Sequence, residues 1–339
     1  MPGDSHMEIK PIAPLVVGKG MAGKAILKSL AIVKQLDPEL KLLPVRFAAR
    51  GTPFSSYIRD DAHNILFIAN PSGLHAEGIA EGAKSRFCAI ATDKPVCVQT
   101  HEIPALRNIS VPVSVFHGYR AMWGTRTIKE MIEAGKLGDF YGFESRYWQS
   151  SSARMALEGT PEKRPWKNDL RLNGPTDTLI DLGSHVVDIC LHLVSEKPVG
   201  SSCSLSYWNA PAPHRDTHVH LFLKFSKNRR AFASISKSMH GATNHFEYTV
   251  LGSQGSATWN FLKPDEVEYG SGNGLTIIRR EKENPSSGSF PFHGQGWLEG
   301  YIEITHQTLR KAAGLSWEPF PTLEESLDAM DVLLNAEKA

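Results

Sequence analysis

Cysteine is scarce in this chain, and what is missing narrows the classes it can belong to. Four cysteines, Cys88, Cys97, Cys190 and Cys203, occur in 339 residues, with no C-x-x-C pair among them. That usage argues against a disulfide scaffold and fits a reducing compartment, so a cytoplasmic location is expected. No apolar run is long enough to span a bilayer, and no basic segment followed by an apolar core opens the sequence. The formal net charge is only +1, so neither nucleic acid nor an anionic membrane is an expected partner. Internal repeats and low-complexity tracts are absent as well. What remains is an ordinary globular composition, in a chain long enough for two domains with sizeable cores.

The most informative stretch is Pro14-Leu-Val-Val-Gly-Lys-Gly-Met-Ala-Gly23. It reads as a buried strand running into a glycine-rich turn and then a helix from about Ala22 to Gln35. Gly18, Gly20 and Gly23 have the G-x-G-x-x-G spacing of a dinucleotide site. The first glycine permits the tight turn, the second lets a pyrophosphate approach bare backbone, and the third lets the helix pack on the sheet. The helix start presents free N–H groups and the positive end of its dipole to a phosphate. An ordinary strand–turn–helix corner is the competing reading.

Further strands are expected at Leu42–Ala49, Asn64–Ala69, Arg86–Ala91 and Val111–Phe116, with a helix opened by Pro71–Glu77 and continuing to about Lys84. Strands alternating with helices imply a parallel sheet, whose ligands sit beyond the carboxyl ends of the strands. Gly18, Arg50, Pro71, Lys94 and Tyr119 all fall at such ends. The later chain differs. Ser201–Trp208, His218–Phe225, Arg230–Ser238, Phe246–Leu251 and Ala257–Phe261 read as strands with few helices between them, so a mostly antiparallel sheet is expected. Leu323, Leu327 and Met330 recur at helical spacing in a closing helix, Thr322–Ala336. Gly270–Gly274 and Glu283–Gly288 read as exposed loops.

Three groups of residues carry candidate chemistry. In Asp93-Lys94-Pro95 a lysine follows a buried strand and is held by a proline, which favours an extended residue before it. Such a lysine can exchange a proton with a reacting oxygen; a solvated surface lysine is the alternative. In Asp181-Leu-Gly-Ser-His185-Val-Val-Asp188 the two carboxylates and the histidine share one face if the segment is helical. His185 suits a general base near neutral pH, with a carboxylate to fix its tautomer. Equally, Asp181 can be a helix cap and His185 a packed core residue. Trp166-Lys167 can close over a ligand or simply pack. His214, His218 and His220 read as surface histidines, so no metal is expected. Trp123 and Phe143 read as core.

These motifs, in this order, resemble the Gfo/Idh/MocA family of oxidoreductases. Gly18-Lys-Gly-Met21-Ala22-Gly23 resembles the family's phosphate turn. Asn70-Pro71-Ser-Gly-Leu-His75 resembles T-P-N-x-x-H, and Asp93-Lys94-Pro95 resembles E-K-P. Gly118-Tyr119-Arg120 resembles N-Y-R, followed over Ile128–Gly142 by a segment like the family's linker helix. Trp166-Lys167 resembles W-R, and Asp181 to Asp188 resembles the D-x-G-x-H-x-x-D helix. Leu251-Gly-Ser-Gln-Gly-Ser256 resembles a turn of the family's sheet domain.

The resemblance implies a Rossmann domain, here over residues 8–120, and an α+β domain over 121–339 with an open, mostly antiparallel sheet. The closing helix is free to pack back on the first domain. It implies hydride transfer between a nicotinamide and a carbinol or carbonyl carbon of a sugar, cyclitol or related polyol. Lys94, His185 and Asp181 would handle the proton, and Tyr119, Arg120 and Asp181 would bind substrate. Gly18, Gly20, Met21, Ala22, Gly23, Arg50, Asn70, Pro71, His75, Asp93, Pro95, Trp166 and Lys167 would line the cofactor site. A homodimer or homotetramer through the C-terminal sheet is expected. The alternatives are a nucleotide-binding sensor without catalysis, and a redox-neutral hydrolase or epimerase with tightly held NAD.

Three departures matter. Asp93 replaces glutamate, and Lys167 replaces arginine. The connection from Arg50 to Asn64 is too short for the usual strand and helix, so the Rossmann sheet should be trimmed by one strand. No acid stands at the end of the second strand to accept from a ribose 2′-OH. Ala49-Arg50-Gly51 is there instead, so NADP(H) is expected over NAD(H).

Overall fold

The computed structural model describes residues 10–281 and 296–338. Its first layer is a five-stranded sheet of β1 (Ile12–Val17), β2 (Arg46–Phe47), β3 (His63–Ile68), β4 (Ala89–Thr92) and β5 (Val113–Val115). The spatial order is β2-β1-β3-β4-β5 and every pairing is parallel. Helices α1 (Met21–Leu36), α2 (His75–Lys84) and α3 (Ile103–Arg107) make the crossovers. Strands buried on both faces explain the unbroken apolar runs of β1, β3 and β4. The chain leaves β1 towards β2 and returns to β3 on the other side, so the strand order reverses between β1 and β3. Such a switch point opens a crevice at the carboxyl ends of the strands.

The sheet is trimmed, as expected. Between β2 and β3 the only regular element is a single turn of 3-10 helix, Phe54–Tyr57. The Arg46 guanidinium donates to the Tyr57 carbonyl, and the Tyr57 hydroxyl accepts from the Ala49 N–H at 2.8 Å. β2 itself is shorter than Leu42–Ala49. Pro44 has no N–H to give a ladder, and only an isolated bridge from Leu42 to Ile12 continues the pairing.

From α4 (Trp123–Glu133) the chain enters β6 (Phe140–Trp148), the middle strand of a nine-stranded sheet. Three short helices, α5 (Ser151–Glu158), α6 (Leu170–Asn173) and α7 (Thr178–Asp181), lead to α8 (Gly183–Val194). Then follow β7 (Gly200–Ser206), β8 (His218–Lys224), β9 (Arg230–Ser236), β10 (His245–Gly252), β11 (Gly255–Asn260), β12 (Glu266–Ser271) and β13 (Gly274–Arg279). After the undescribed segment come α9 (Trp297–Ala312), α10 (Leu323–Leu334) and a final two-residue strand, β14 (Glu337–Lys338). The sheet runs β13-β12-β11-β10-β6-β9-β8-β7-β14, and only β6–β9 and β7–β14 are parallel.

Two features differ from the sequence expectations. β6 lies partly where the linker segment was read, although Phe143, Ser145 and Tyr147 alternate inward as a strand requires. Gly270–Gly274 is the turn of the β12–β13 hairpin rather than a free loop. Glu283–Gly288 lies outside the described residues.

Helix α9 was not foreseen. It packs on α1 and stacks Tyr301 on Phe116 with ring centroids 4.6 Å apart. Ile302, Ile304 and Leu309 share a buried cluster with β1, β3 and α1. The segment entering α10 also touches the first sheet, because the Val115 N–H donates to the Pro321 carbonyl at 2.9 Å. Both C-terminal helices therefore pack back on the first unit. Among the described residues no helix is long and apolar enough to cross a membrane.

Candidate active site

The glycine turn sits at the switch point. Gly18 has φ +99° and lies against the β3 exit, where a Cβ would come within 2.3 Å of the Ala69 carbonyl oxygen. A Cβ on Gly23 would lie 2.4 Å from the Gly18 carbonyl oxygen. Both positions need glycine for packing. Gly20 does not, since nothing lies within 4 Å of a Cβ there, and it precedes α1 as its N-cap with no side-chain cap. Its bare backbone and the first N–H groups of α1 face open space. Across the crevice the Asn70 side-chain oxygen is buried without a partner. A cradle open only at Gly20, with an orphaned acceptor beside it, fits a dinucleotide. Met21 is exposed and Ala22 half-buried at the same helix start.

A few residues further along the strand ends lies a cluster of charges. Lys94, just past β4, reaches α7. Its Nζ donates to the Asp181 carbonyl at 2.6 Å and to Asp181 Oδ1 at 2.7 Å. Lys167 Nζ and Lys237 Nζ lie 2.9 and 2.7 Å from Asp181 Oδ2. Lys237 also lies 2.8 Å from Asp177 Oδ1, while Arg215 grips Asp177 Oδ2 through Nε and Nη2 at 3.0 and 2.8 Å. Asp216 fixes this corner by accepting from the N–H groups of Asp177, Thr178 and Leu179. Burial pushes the Asp181 carboxyl up, but the Lys167, Lys237 and Lys94 ammoniums outweigh it and hold it well below the usual carboxylate range. Asp177 is lowered too, its burial outweighed by Lys237 and Lys167. Asp181 is thus a fixed anion.

His185 stands beside this cluster on α8. Burial, then the Lys94 and His117 charges, hold its imidazole well below its ordinary value, so it is neutral near pH 7. This corrects the expectation of an ionisation near neutrality. The expected carboxylate support is also missing, because Nδ1 is buried without a partner and Asp188 is engaged elsewhere. The ring lies edge-on to Tyr119, with centroids 4.9 Å apart. Tyr119 Oη pairs with Tyr147 Oη at 2.9 Å and accepts from Asn244 Nδ2 at 2.8 Å. The Asn244 side-chain oxygen accepts from Tyr147 and from Gln149, each at 2.9 Å. This amide–phenol network beneath the imidazole can select among hydroxyl-bearing ligands.

Several expected site residues are engaged by protein partners. Arg120 is one of them. It is buried, with Nε and Nη2 on Asp188 at 2.9 and 2.6 Å and Nη1 on Glu325 at 2.7 Å, joining α8 to α10. His75 Nδ1 and Nε2 lie 2.7 Å from the Pro95 carbonyl and 2.9 Å from the Asn70 carbonyl. With both ring nitrogens engaged, it braces the loops after β3 and β4. Asp93 accepts from the Lys94 N–H at 3.0 Å and from Tyr301 Oη at 2.8 Å, which ties β4 to α9. Burial pushes its carboxyl up. Pro71 opens the turn into α2, and Trp166 is half-buried beside Lys167. Lys167 belongs to the Asp181 cluster and not only to a cofactor wall. Arg50 is exposed in the loop after β2.

Sequence reasoning missed Lys237, Asp177, Arg215, Tyr147 and Asn244. Lys237 had a readable signal. Ala231, Ala233 and Ile235 point inward along β9, and Lys237 continues that period of two into the interior.

Fold and site together define a protein with a trimmed Rossmann sheet, an open mixed sheet and a charged cleft between them. Residues 125–258 match the family model described as the GFO/IDH/MocA C-terminal domain. Over those residues the chain is similar to the Gfo/Idh/MocA family. Levoglucosan dehydrogenase of Pseudarthrobacter phenanthrenivorans is 23% identical over 269 residues, 70% of this chain and 66% of that protein. The match therefore spans slightly less than two thirds of that relative. The scyllo-inositol 2-dehydrogenase (NADP(+)) of Bacillus subtilis is 25% identical, over 81% of this chain and 76% of its own. Among solved structures, levoglucosan dehydrogenase in complex with NADH and L-sorbose superposes with a TM-score of 0.81 at 21% identity, covering 96% of each chain. An inositol dehydrogenase homolog complexed with NAD+ from Azotobacter vinelandii gives 0.78 at 19% identity, covering 97% of this chain and 95% of that one.

Proposed function

We propose that this protein is an NAD(P)-dependent oxidoreductase acting on a CH–OH carbon of a sugar, cyclitol or related polyol. The observation that carries the reading is the contact of Lys94 with Asp181. It brings a proton-transferring amine from the end of β4 against a fixed anion and beside a neutral imidazole, next to an open glycine cradle. Gly18, Gly20, Met21, Ala22, Gly23 and Asn70 would hold the dinucleotide, with Trp166 and Lys167 bordering the nicotinamide end. A bound nicotinamide would supply the hydride acceptor or donor. Lys94 would take or give the hydroxyl proton, Asp181 would keep Lys94 in place, and His185 and Tyr119 would border the substrate. Known relatives support the substrate class, since they include a levoglucosan dehydrogenase and a scyllo-inositol 2-dehydrogenase. We also infer NADP(H) as the preferred cofactor. The four free cysteines support a cytoplasmic setting. Exposed Phe222 and Tyr141 on the second sheet support a homo-oligomer through that sheet.

The test is a panel of anhydrosugars, hexoses and inositols with NADP+ and NAD+, followed by absorbance of the reduced nicotinamide. Turnover with a cyclic polyol is the expected result. Cofactor binding without turnover on any member would turn the reading towards a sensor.

A further inference from the structure

The charged cluster is larger than proton transfer by Lys94 and His185 requires. Asp177, at the N-terminal cap position of α7, and Asp181, at its end, lie one turn apart, and Lys237 rises between them from the end of β9. Its Nζ is 2.8 Å from Asp177 Oδ1 and 2.7 Å from Asp181 Oδ2, and the residue is 3% exposed. Its backbone is held on both sides. The Lys237 N–H donates to the Thr217 carbonyl at 2.8 Å, and its carbonyl accepts from the Ser152 N–H at 2.8 Å. One carboxylate, Asp181, therefore gathers three ammoniums: Lys94 on Oδ1, Lys167 and Lys237 on Oδ2. A buried ammonium is expensive unless it is paired and fixed, and nothing in the packing of β9 calls for one.

The arrangement has an electrostatic consequence at Lys94. When a carbinol is oxidised, its C–H leaves as hydride to the cofactor and the carbonyl forms. Its O–H proton passes to a neutral Lys94 amine, which becomes an ammonium. A bare Asp181 carboxylate beside Lys94 would favour the ammonium and oppose that neutral state. Cations on the far oxygen of the same carboxylate counter its field. The groups facing Lys94 are Asp93 after β4, His117 after β5, Asp181 and His185 on α7 and α8, and Lys167 and Lys237 behind Asp181. His117 and His185 are kept neutral by burial, so the fixed charges that oppose Asp181 come from the two lysines.

We propose that Lys237 is a positioning residue for this reaction: it clamps Asp181 from behind through its bridge to Asp177 and offsets that carboxylate's charge, leaving Lys94 free to accept the substrate proton. The proposal rests on the dehydrogenase reading above, but its first test does not need turnover. Unfolding free energies of the cofactor-free protein and of Lys237→Met are measured from neutral pH down to about pH 3. Asp177 and Asp181 are depressed in the native state, so the stability they lend is present above their unfolded value and lost as pH falls below about 4. Lys237→Met should be less stable at neutral pH, and its gap from wild type should begin to narrow as pH falls below about 4. A gap that does not change with pH overturns the proposal whatever the activity. With a substrate in hand, Lys237→Met should lower kcat near neutrality about tenfold. Cofactor affinity should change less than about twofold. Lys237→Arg, which keeps the charge, should restore kcat and secure the comparison if the methionine variant folds poorly. Unchanged kcat in a folded Lys237→Met enzyme also overturns the proposal. Absence of turnover in wild type, with the pH-dependent gap present, would instead refute the dehydrogenase reading and leave the clamp standing.

Discussion

Gly18 backs directly onto Ala69, leaving no room for a side chain, whereas Gly20, two residues on, faces empty space. A Cβ at Gly18 would sit 2.3 Å from the Ala69 carbonyl oxygen, in a backbone with φ +99°. The two glycines therefore fail in different ways. Gly18→Ala should destabilise the fold by about 1–3 kcal/mol through strain and displacement of the β3 exit. Gly20→Val should cost no more than about 1 kcal/mol of stability, because the position is open. It should nevertheless weaken NAD(P)H binding by about tenfold or more, by occupying the approach to the pyrophosphate. Denaturant unfolding and calorimetric titration of both variants separate the two effects. Unchanged cofactor affinity in folded Gly20→Val would place the dinucleotide elsewhere.

Beside the proposed cofactor site, the loop after β2 presents Arg50 and no carboxylate. Lys19, in the glycine turn, holds its ammonium 5.1 Å from the centre of the Phe47 ring, so a second cation flanks the same edge. A 2′-phosphate there would accept charge-assisted hydrogen bonds worth about 1.5–3 kcal/mol each. Arg50→Ala should therefore cut the NADP over NAD preference in kcat/KM by about tenfold or more, mainly by raising KM for NADP. Equal efficiency of the wild type with both cofactors would refute the role assigned to Arg50.

The sequence showed most clearly what local sterics demand. Gly18, Gly20 and Gly23 between an apolar strand and a helix state their purpose without reference to the rest of the chain. So does the short span from Arg50 to Asn64, which leaves no room for another strand and crossover helix. Lys94, Asp181 and His185 were recognisable as candidates because each sits at a strand or helix end beside its motif. Their electrostatics were not recognisable. The neutral state of His185 comes from burial and from Lys94, 91 positions away in sequence. The partners of Arg120 were not recognisable either, because Asp188 and Glu325 come from α8 and α10, far along the chain. Helix α9 went unread because its partners, α1 and Phe116, are contributed by the other end of the chain.

His117 makes the stability of the fold depend on pH. Burial pushes its imidazole down to about 4, against the opposing pull of Asp188. Because the native pKa lies below the unfolded value, the stabilising effect is complete above about pH 6.5 and is lost on acidification. Between about pH 6.5 and 4 the unfolded chain binds a proton that the native state refuses, at up to about 1.4 kcal/mol per pH unit. His117→Gln should remove one proton's worth of that slope in urea unfolding series. An unaltered slope would mean that His117 is protonated in the native state.

Lys94 and His185 should differ in what their loss does to turnover. Lys94→Ala should lower kcat by about 10²–10⁴-fold, the usual worth of a positioned acid–base group, with cofactor affinity largely kept. The loss has a specific origin, since no other described amine lies within hydrogen-bond reach of Asp181 Oδ1. His185→Ala should also lower turnover, because its ring closes the wall against Tyr119. Its imidazole, however, is held well below its ordinary value by burial and by Lys94, so it does not gain a proton as pH falls from 8 to about 6. Any ionisation that shapes kcat/KM in that range should therefore persist in His185→Asn. Its loss in that variant would show that the histidine accepts the proton.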